Sequence, residues 1–337
     1  MKGFGAAVRA ISYYLPEKVV DNSALVEEFG TWTEDKIFQK TGIRERHVVD
    51  GELVSDLSVM AAERLFAEHG ISREGVDFLL LCTESPDYYL PATACIVQDR
   101  LGLAKSTGAL DFNLGCSGFV YGLALSKGLI AGGMASRVLL ITADTLSRTV
   151  HPGDKSTRTI FGDAAAATLV EASDTARIGD FVFGTDGSGK DKLIIPAGAW
   201  AMPRTAETAI PRTNRWGNTR SAENLYMNGP EVLNFTIGAV PGAVRKILEV
   251  HSMKMEDVDL FVFHQATRLI LEHLRQEIGI PEEKFYTNME NKGNTVSATI
   301  PMALRDAWDE GRLRPGDHVM VVGFGVGYSW GATLLRW

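Results

Sequence analysis

The feature that most constrains this chain is an internal echo. Gly75-Val-Asp-Phe-Leu-Leu-Leu is answered by Asp257-Val-Asp-Leu-Phe-Val-Phe, and the aligned aspartates, Asp77 and Asp259, are 182 positions apart (259 − 77). The apolar runs at Val138 and Val319 are separated by 181 positions (319 − 138). Gly162-Asp-Ala-Ala-Ala-Ala-Thr-Leu also rhymes with Gly331-Ala-Thr-Leu-Leu. Repetition at one offset points to two copies of a single folding unit, here about 1–172 and 173–337.

Within each copy the patterning is α/β. Phe78–Leu81, Val138–Ile141, Leu260–Phe263 and Val319–Val322 are short, continuous apolar runs, as expected of strands covered on both faces. Helical spacing covers Asp56–Glu68, Phe119–Ala131, Glu231–His251, Thr267–Ile278 and Pro301–Glu310. Many of the 34 glycines fall in tight turns between these runs.

Bulk properties exclude several classes. The formal net charge of -8 argues against nucleic acid as the main partner. Three cysteines, widely spaced, give neither a disulfide framework nor a CxxC metal site, and no two histidines have zinc-ligand spacing on a helix face. The N-terminal segment lacks a secretory apolar core, and the apolar stretch Phe119–Ala143 is broken by Lys127 and Arg137, so no membrane span is expected. The expectation is a reduced, cytoplasmic protein. Arg204, Arg212, Arg215 and Arg220, with only Glu207 among them, form a basic segment that reads either as a solvated loop with scattered charge or as a surface for an acidic partner.

Four places could carry chemistry. Cys116, in Asn113-Leu-Gly-Cys-Ser-Gly-Phe, follows a glycine turn into an apolar helix, where free amides and the helix dipole favour thiolate. As a lone feature it reads more readily as a small core residue, as most free cysteines do, the reading that Cys82 and Cys95 also take. His264 stands at the carboxyl end of an apolar strand, where α/β sites gather. Asn294 lies in a glycine turn before a helix expected to start near Ser297. Gly323-Phe-Gly-Val-Gly-Tyr-Ser-Trp-Gly lacks the helix context and lysine of a phosphate loop, and suits an amide-built oxyanion hole.

Taken together, and in this order, NLGCSGF, FHQA, NKGNTVSATIP and GFGVGYSWG resemble the β-ketoacyl-acyl-carrier-protein synthase III branch of the thiolase superfamily. TGIRERH at Thr41–His47 and IFGDAAAATLV at Ile160–Val170 resemble two further family segments, so the resemblance spans nearly the whole chain. It implies a five-layered αβαβα thiolase-like fold of two duplicated halves. It implies Cys116 as nucleophile, His264 and Asn294 as its catalytic partners, and the amides of Cys116 and Val326 as the oxyanion hole. The substrate-binding positions it implies are Lys36, Lys40, Leu90, Lys155, Phe263, Thr267 and Arg268. It further implies a homodimer, with Leu90 near the partner's acyl pocket, an acyl carrier protein as partner, coenzyme A or phosphopantetheine thioesters as substrates, and no metal or redox cofactor.

Departures from the family pattern qualify this. Lys36 replaces a usual Trp, Lys40 a usual Arg, and Lys155-Ser156 an Arg-Gly pair. Phe263 and Thr267 replace Pro and Asn, and Val326 a Gly. Losing the Trp removes a stacking surface for coenzyme A, which suggests a specialised pathway with a longer or unusual acyl group. The competing readings are acyl transfer without decarboxylation, and a non-catalytic partner subunit. A papain-like hydrolase also uses Cys, His and Asn, but its local signature is absent here. A Cys-His-Glu enzyme of the hydroxymethylglutaryl type needs a glutamate, for which Glu84 is the residue to check.

Overall fold

The structure is a computed structural model that describes residues 5–337. Ten strands form two five-stranded sheets. They are β1 (Gly5–Tyr14), β2 (Phe78–Cys82), β3 (Gly108–Phe112), β4 (Arg137–Asp144), β5 (Ala164–Ser173), β6 (Ile178–Thr185), β7 (Leu260–Phe263), β8 (Phe285–Tyr286), β9 (His318–Gly325) and β10 (Ser329–Arg336). The helices that frame them are α1 (Glu34–Thr41), α2 (Val54–His69), α3 (Thr93–Arg100), α4 (Gly118–Ala131), α5 (Gly229–His251), α6 (Arg268–Ile278) and α7 (Thr299–Asp309).

The sheets are copies of each other. The first runs β1-β5-β4-β2-β3 and the second β6-β10-β9-β7-β8. In each, the first three strands pair antiparallel and the last three parallel. The four apolar runs read as strands are β2, β4, β7 and β9, at equivalent positions of the two sheets. The 182-residue echo is therefore a repeat of topology.

Five layers result. Helices α2 and α3 cover one face of the first sheet, through Leu57, Leu65, Val97, Leu79 and Leu139. Helices α4 and α7 lie between the sheets, with Phe119, Leu123, Ile300 and Leu304 packed against Leu80, Leu140, Val262 and Val321. Helices α5 and α6 close the far side, with Val244, Ile247, Leu271 and Leu274 on Phe261, Phe263 and Met320. Each sheet has apolar side chains on both faces, which is why its central strands are apolar without alternation.

Strand β5, Ala-Ala-Ala-Ala-Thr-Leu-Val, has helical propensity on composition alone. Packing overrides it. Ala165 and Ala167 face the α2 side, and Ala164 and Ala166 face Met302 of α7. Small side chains let helices approach both faces of this strand.

Helix boundaries differ from expectation where local capping intervenes. Thr267 is the N-cap of α6 rather than its first residue, accepting a hydrogen bond from the Ile270 amide. Helix α7 begins at Thr299, two residues past Ser297, because Val296–Ala298 form a 3-10 turn first. Cys95 sits on α3 but is exposed, so the core reading fails for it. No helix of the described residues is long and apolar enough to cross a membrane.

Candidate active site

Cys116 lies in a 3-10 turn, Gly115–Ser117, that carries the chain from β3 into α4. Three glycines make room for it. Gly115 has φ +39°, and the Glu84 carboxylate fills the space a side chain there would occupy. A Cβ on Gly118 would meet the sulfur of Cys82, and one on Gly325 would lie 2.9 Å from the Cys116 sulfur. The strand exit Gly323-Phe-Gly-Val therefore packs directly on the nucleophile turn. The backbone amides of Cys116 and Val326 act on the thiol in the direction that favours its charged form.

The electrostatics correct one expectation. Burial, then the carboxyls of Glu84 and Asp144, push the Cys116 thiol well above its usual value, against the opposing pull of those two amides. Desolvation outweighs the helix terminus here, so the resting group is the thiol.

His264 follows β7, and its amide donates to the Val322 carbonyl of β9 (2.8 Å). The buried ring meets Phe324 edge-on. Its Nδ1 is 2.8 Å from the Thr299 hydroxyl, which also lies 3.0 Å from the Val296 carbonyl. Burial lowers the His264 pKa to about 3, so the ring is neutral at working pH.

Asn294 is fixed from all sides. Its amide donates to Ile160, its carbonyl accepts from Gly162, and its Oδ1 accepts from the Val296 amide at 2.9 Å. That last contact holds Val296 at φ +56°, a strained conformation for a β-branched residue. Asn294 Nδ2 is left 3.5 Å from His264 Nε2.

A cavity opens onto Cys116. Its walls include Leu146, Phe161, Ile194 and Leu225, with Val296 and Val326, and its polar side chains are Glu84 and Asn113. The Glu84 amide donates to Asp144 Oδ1 (2.8 Å), and the second Asp144 oxygen accepts from Ser297. Burial and Asp144 raise the Glu84 carboxyl, and burial raises Asp144.

The substrate-binding set does not behave as one group. Lys36 and Lys40 both stand over the Trp32 ring (5.0 and 5.5 Å), so an aromatic surface survives one turn before the position where the family Trp is lost. Lys155 donates to the Thr31 hydroxyl (3.1 Å) in the same neighbourhood. Arg268 stacks on Phe38. Leu90 is 82% exposed beside exposed Tyr88 and Tyr89. Phe263 must be withdrawn as a substrate contact: it is fully buried, packed on Phe261 and Phe285. Arg220 must likewise leave the basic surface, because it turns inward to the buried Asp154 (3.3 Å).

Glu84 earned only a mention from sequence, and Thr299 none. Nothing local marks either, since each acts on a residue far away in the chain. Among the described residues no group of three or more His, Cys, Asp or Glu side chains is arranged to hold a metal.

Comparison with known proteins gives matches to 3-Oxoacyl-[acyl-carrier-protein (ACP)] synthase III over residues 110–187 and to its C terminal region over residues 248–337. The chain is 37% identical over 339 residues to the Beta-ketoacyl-[acyl-carrier-protein] synthase III of Clostridium perfringens, covering 100% of this chain and 98% of that protein. A crystal structure of a 3-oxoacyl-(acyl-carrier-protein) synthase III superposes with a TM-score of 0.97 at 48% identity, over 99% of this chain and 100% of the other. The priming β-ketosynthase of the R1128 polyketide pathway superposes with a TM-score of 0.85 at 26% identity, over 98% and 96% of the two chains.

Proposed function

This chain belongs to the 3-oxoacyl-[acyl-carrier-protein] synthase III family, and on that premise we propose that Cys116, His264 and Asn294 carry its reaction. The enzyme forms an acyl-cysteine and condenses it, with loss of carbon dioxide, with a malonyl thioester on acyl carrier protein.

In the first half, the Cys116 sulfur attacks the acyl thioester carbonyl. The thiol proton leaves with the departing carrier thiolate. The carbonyl oxygen gains charge between the Cys116 and Val326 amides, an environment where preorganised donors are most effective. In the second half, the malonyl thioester oxygen sits between Asn294 Nδ2–H and His264 Nε2–H. The required tautomer has Nδ1 accepting from Thr299, whose hydroxyl proton turns from Val296 toward the ring. A neutral ring suits this role, because the developing enolate needs hydrogen-bond donors and no proton transfer. The bond to the carboxylate breaks, the enolate carbon attacks the acyl carbon, and the Cys116 thiolate is expelled and reprotonated.

The observation that carries the reading is the 3.5 Å pairing of Asn294 Nδ2 with His264 Nε2, wide enough for one oxygen to receive both hydrogen bonds. The apolar walls of the Cys116 cavity support an apolar acyl group as starter. Trp32, Lys36, Lys40 and Lys155 are proposed to hold the phosphate-bearing end of a coenzyme A or phosphopantetheine thioester. Exposed Tyr88, Tyr89 and Leu90 support a homodimer in which this loop is covered. We assign the duplicated halves to 1–172 and 173–337, residues 1–4 of the first lying outside the described structure, and the protein to the cytoplasm.

The test is the intact mass of the protein after incubation with acyl-coenzyme A and acyl-carrier thioesters, beside Cys116→Ala. An acyl adduct on wild type alone, discharged with carbon dioxide release on adding malonyl-carrier protein, is the expected result. Failure of wild type to acylate with any donor would sink the reading.

A further inference from the structure

We propose that Glu84 acts as a base toward the α-carbon of the acyl group held on Cys116, exchanging its hydrogens with solvent through an enolate. The inference rests on the acyl-cysteine reading above and adds a second activity to that site.

The condensation itself has no use for such a base. Its carbanion comes from breaking the bond to carbon dioxide, so no C–H bond needs an acceptor. Yet a carboxylate stands in the cavity that an acyl group on Cys116 must enter. Apart from Asn113, the other side chains lining it beside the nucleophile are apolar. The Glu84 side chain is half-buried and rests on Gly115, in the space a side chain at that position would need, one residue from the nucleophile. An acyl α-carbon lies two bonds from the Cys116 sulfur. The carboxylate and that carbon therefore share one small volume.

Glu84 is also unspent. Among the described residues no group donates a hydrogen bond to its carboxylate, whereas neighbouring Asp144 accepts from the Glu84 amide and from the amide and hydroxyl of Ser297. A half-buried carboxyl without partners is costly unless it has work to do in the site, and the form that can act as base is the one ionised as pH approaches about 8. Burial raises its basicity above that of a surface carboxylate, in the direction a base for a carbon acid requires.

The step balances with groups already present. The α C–H bond breaks and its proton passes to a Glu84 oxygen. The bonding pair forms the enolate double bond, and the thioester oxygen carries the charge between the Cys116 and Val326 amides. Glu84 exchanges its proton with water and returns it to carbon. An acyl group so activated is a carbon nucleophile for a carbonyl electrophile, which no decarboxylation would supply.

The experiment uses the full chain with butyryl-coenzyme A in D2O buffered above the value of about 8 at which the Glu84 carboxyl ionises. Samples are quenched in acid, and the mass of the acylated Cys116 peptide is read against time. Deuterium should accumulate in the butyryl group of wild type. In Glu84→Gln, exchange per acylated enzyme should fall about 100-fold or more, the ordinary contribution of a positioned base. Glu84→Asp, which withdraws the carboxylate by one methylene, gives an independent measure should the Gln variant fold poorly, and should show slowed exchange. Acylated wild type with no deuterium, or either variant exchanging at the wild-type rate, overturns the proposal while leaving the nucleophile assignment intact. Absence of any acyl peptide removes both.

Discussion

Gly325 and Cys116 touch so closely that a Cβ on Gly325 would lie 2.6 Å from the Cβ of Cys116 and 2.9 Å from its sulfur. The glycine strand exit of the second sheet is thus the wall against which the Cys116 sulfur is set.

Gly325→Ala is expected to displace the sulfur. A misplacement of about 1 Å costs about 100-fold in rate, so the rate of Cys116 acylation, followed by intact mass, should fall by that order. Overpacking should also lower stability by about 1–3 kcal/mol in denaturant unfolding. Acylation at the wild-type rate would show that the turn yields without cost.

Asn294→Ala removes one of the two proposed donors to the malonyl thioester oxygen while leaving the Cys116 and Val326 amides in place. Acyl-adduct formation should persist, and malonyl-dependent carbon dioxide release should fall about 100- to 1000-fold, the usual effect of deleting one oxyanion donor. Equal loss in both half-reactions would place Asn294 in the first step instead.

Thr299→Val deletes the hydroxyl 2.8 Å from His264 Nδ1. The proton is then no longer held on Nε2. Carbon dioxide release should fall, less than for His264→Ala, and unfolding should change little beyond the roughly 1 kcal/mol of a lost hydrogen bond. Full activity in the valine variant would remove Thr299 from the positioning of the ring.

Glu84 carries a stability signature of its own. Its carboxyl is raised on folding from 4.5 to about 8, so the folded state holds a proton that the unfolded chain has already lost. Its contribution is fully present below the unfolded value and is lost as pH rises through the folded one. Between about pH 5 and 8, Tm of wild type should therefore decline more steeply than that of Glu84→Gln. Parallel Tm profiles would mean that this carboxyl titrates normally.

Arg220→Ala leaves the buried Asp154 carboxylate without its ion partner. Breaking a buried pair from one side costs about 3–5 kcal/mol, so chemical denaturation should show a loss of that size. A loss below 1 kcal/mol would mean that water reaches Asp154 once the arginine is gone.

Much of the proposed catalytic centre was legible because its residues sit in local punctuation. Cys116 is announced by Gly115 and Gly118, His264 by the end of an apolar strand, and Asn294 by Gly293. Phe263 misled because the family resemblance offered its position as a substrate contact, while alternation along β7 packs its ring against Phe261 and Phe285. Arg220 misled because charge in a segment says nothing about which side chain turns inward.

The duplicated architecture and the strand runs followed from sequence alone, since apolar periodicity and glycine turns are local and repeat at one offset; Cys116, His264 and Asn294 were singled out by the family resemblance of their motifs. Tertiary structure decided which distant groups meet. It alone brought Glu84 onto Gly115, Thr299 to the His264 ring, Gly325 to the sulfur and Trp32 beneath two lysines. It also reversed the expected sign at Cys116, because a thiol's ionisation depends on how completely water is removed around it, and burial is a property of the packed whole.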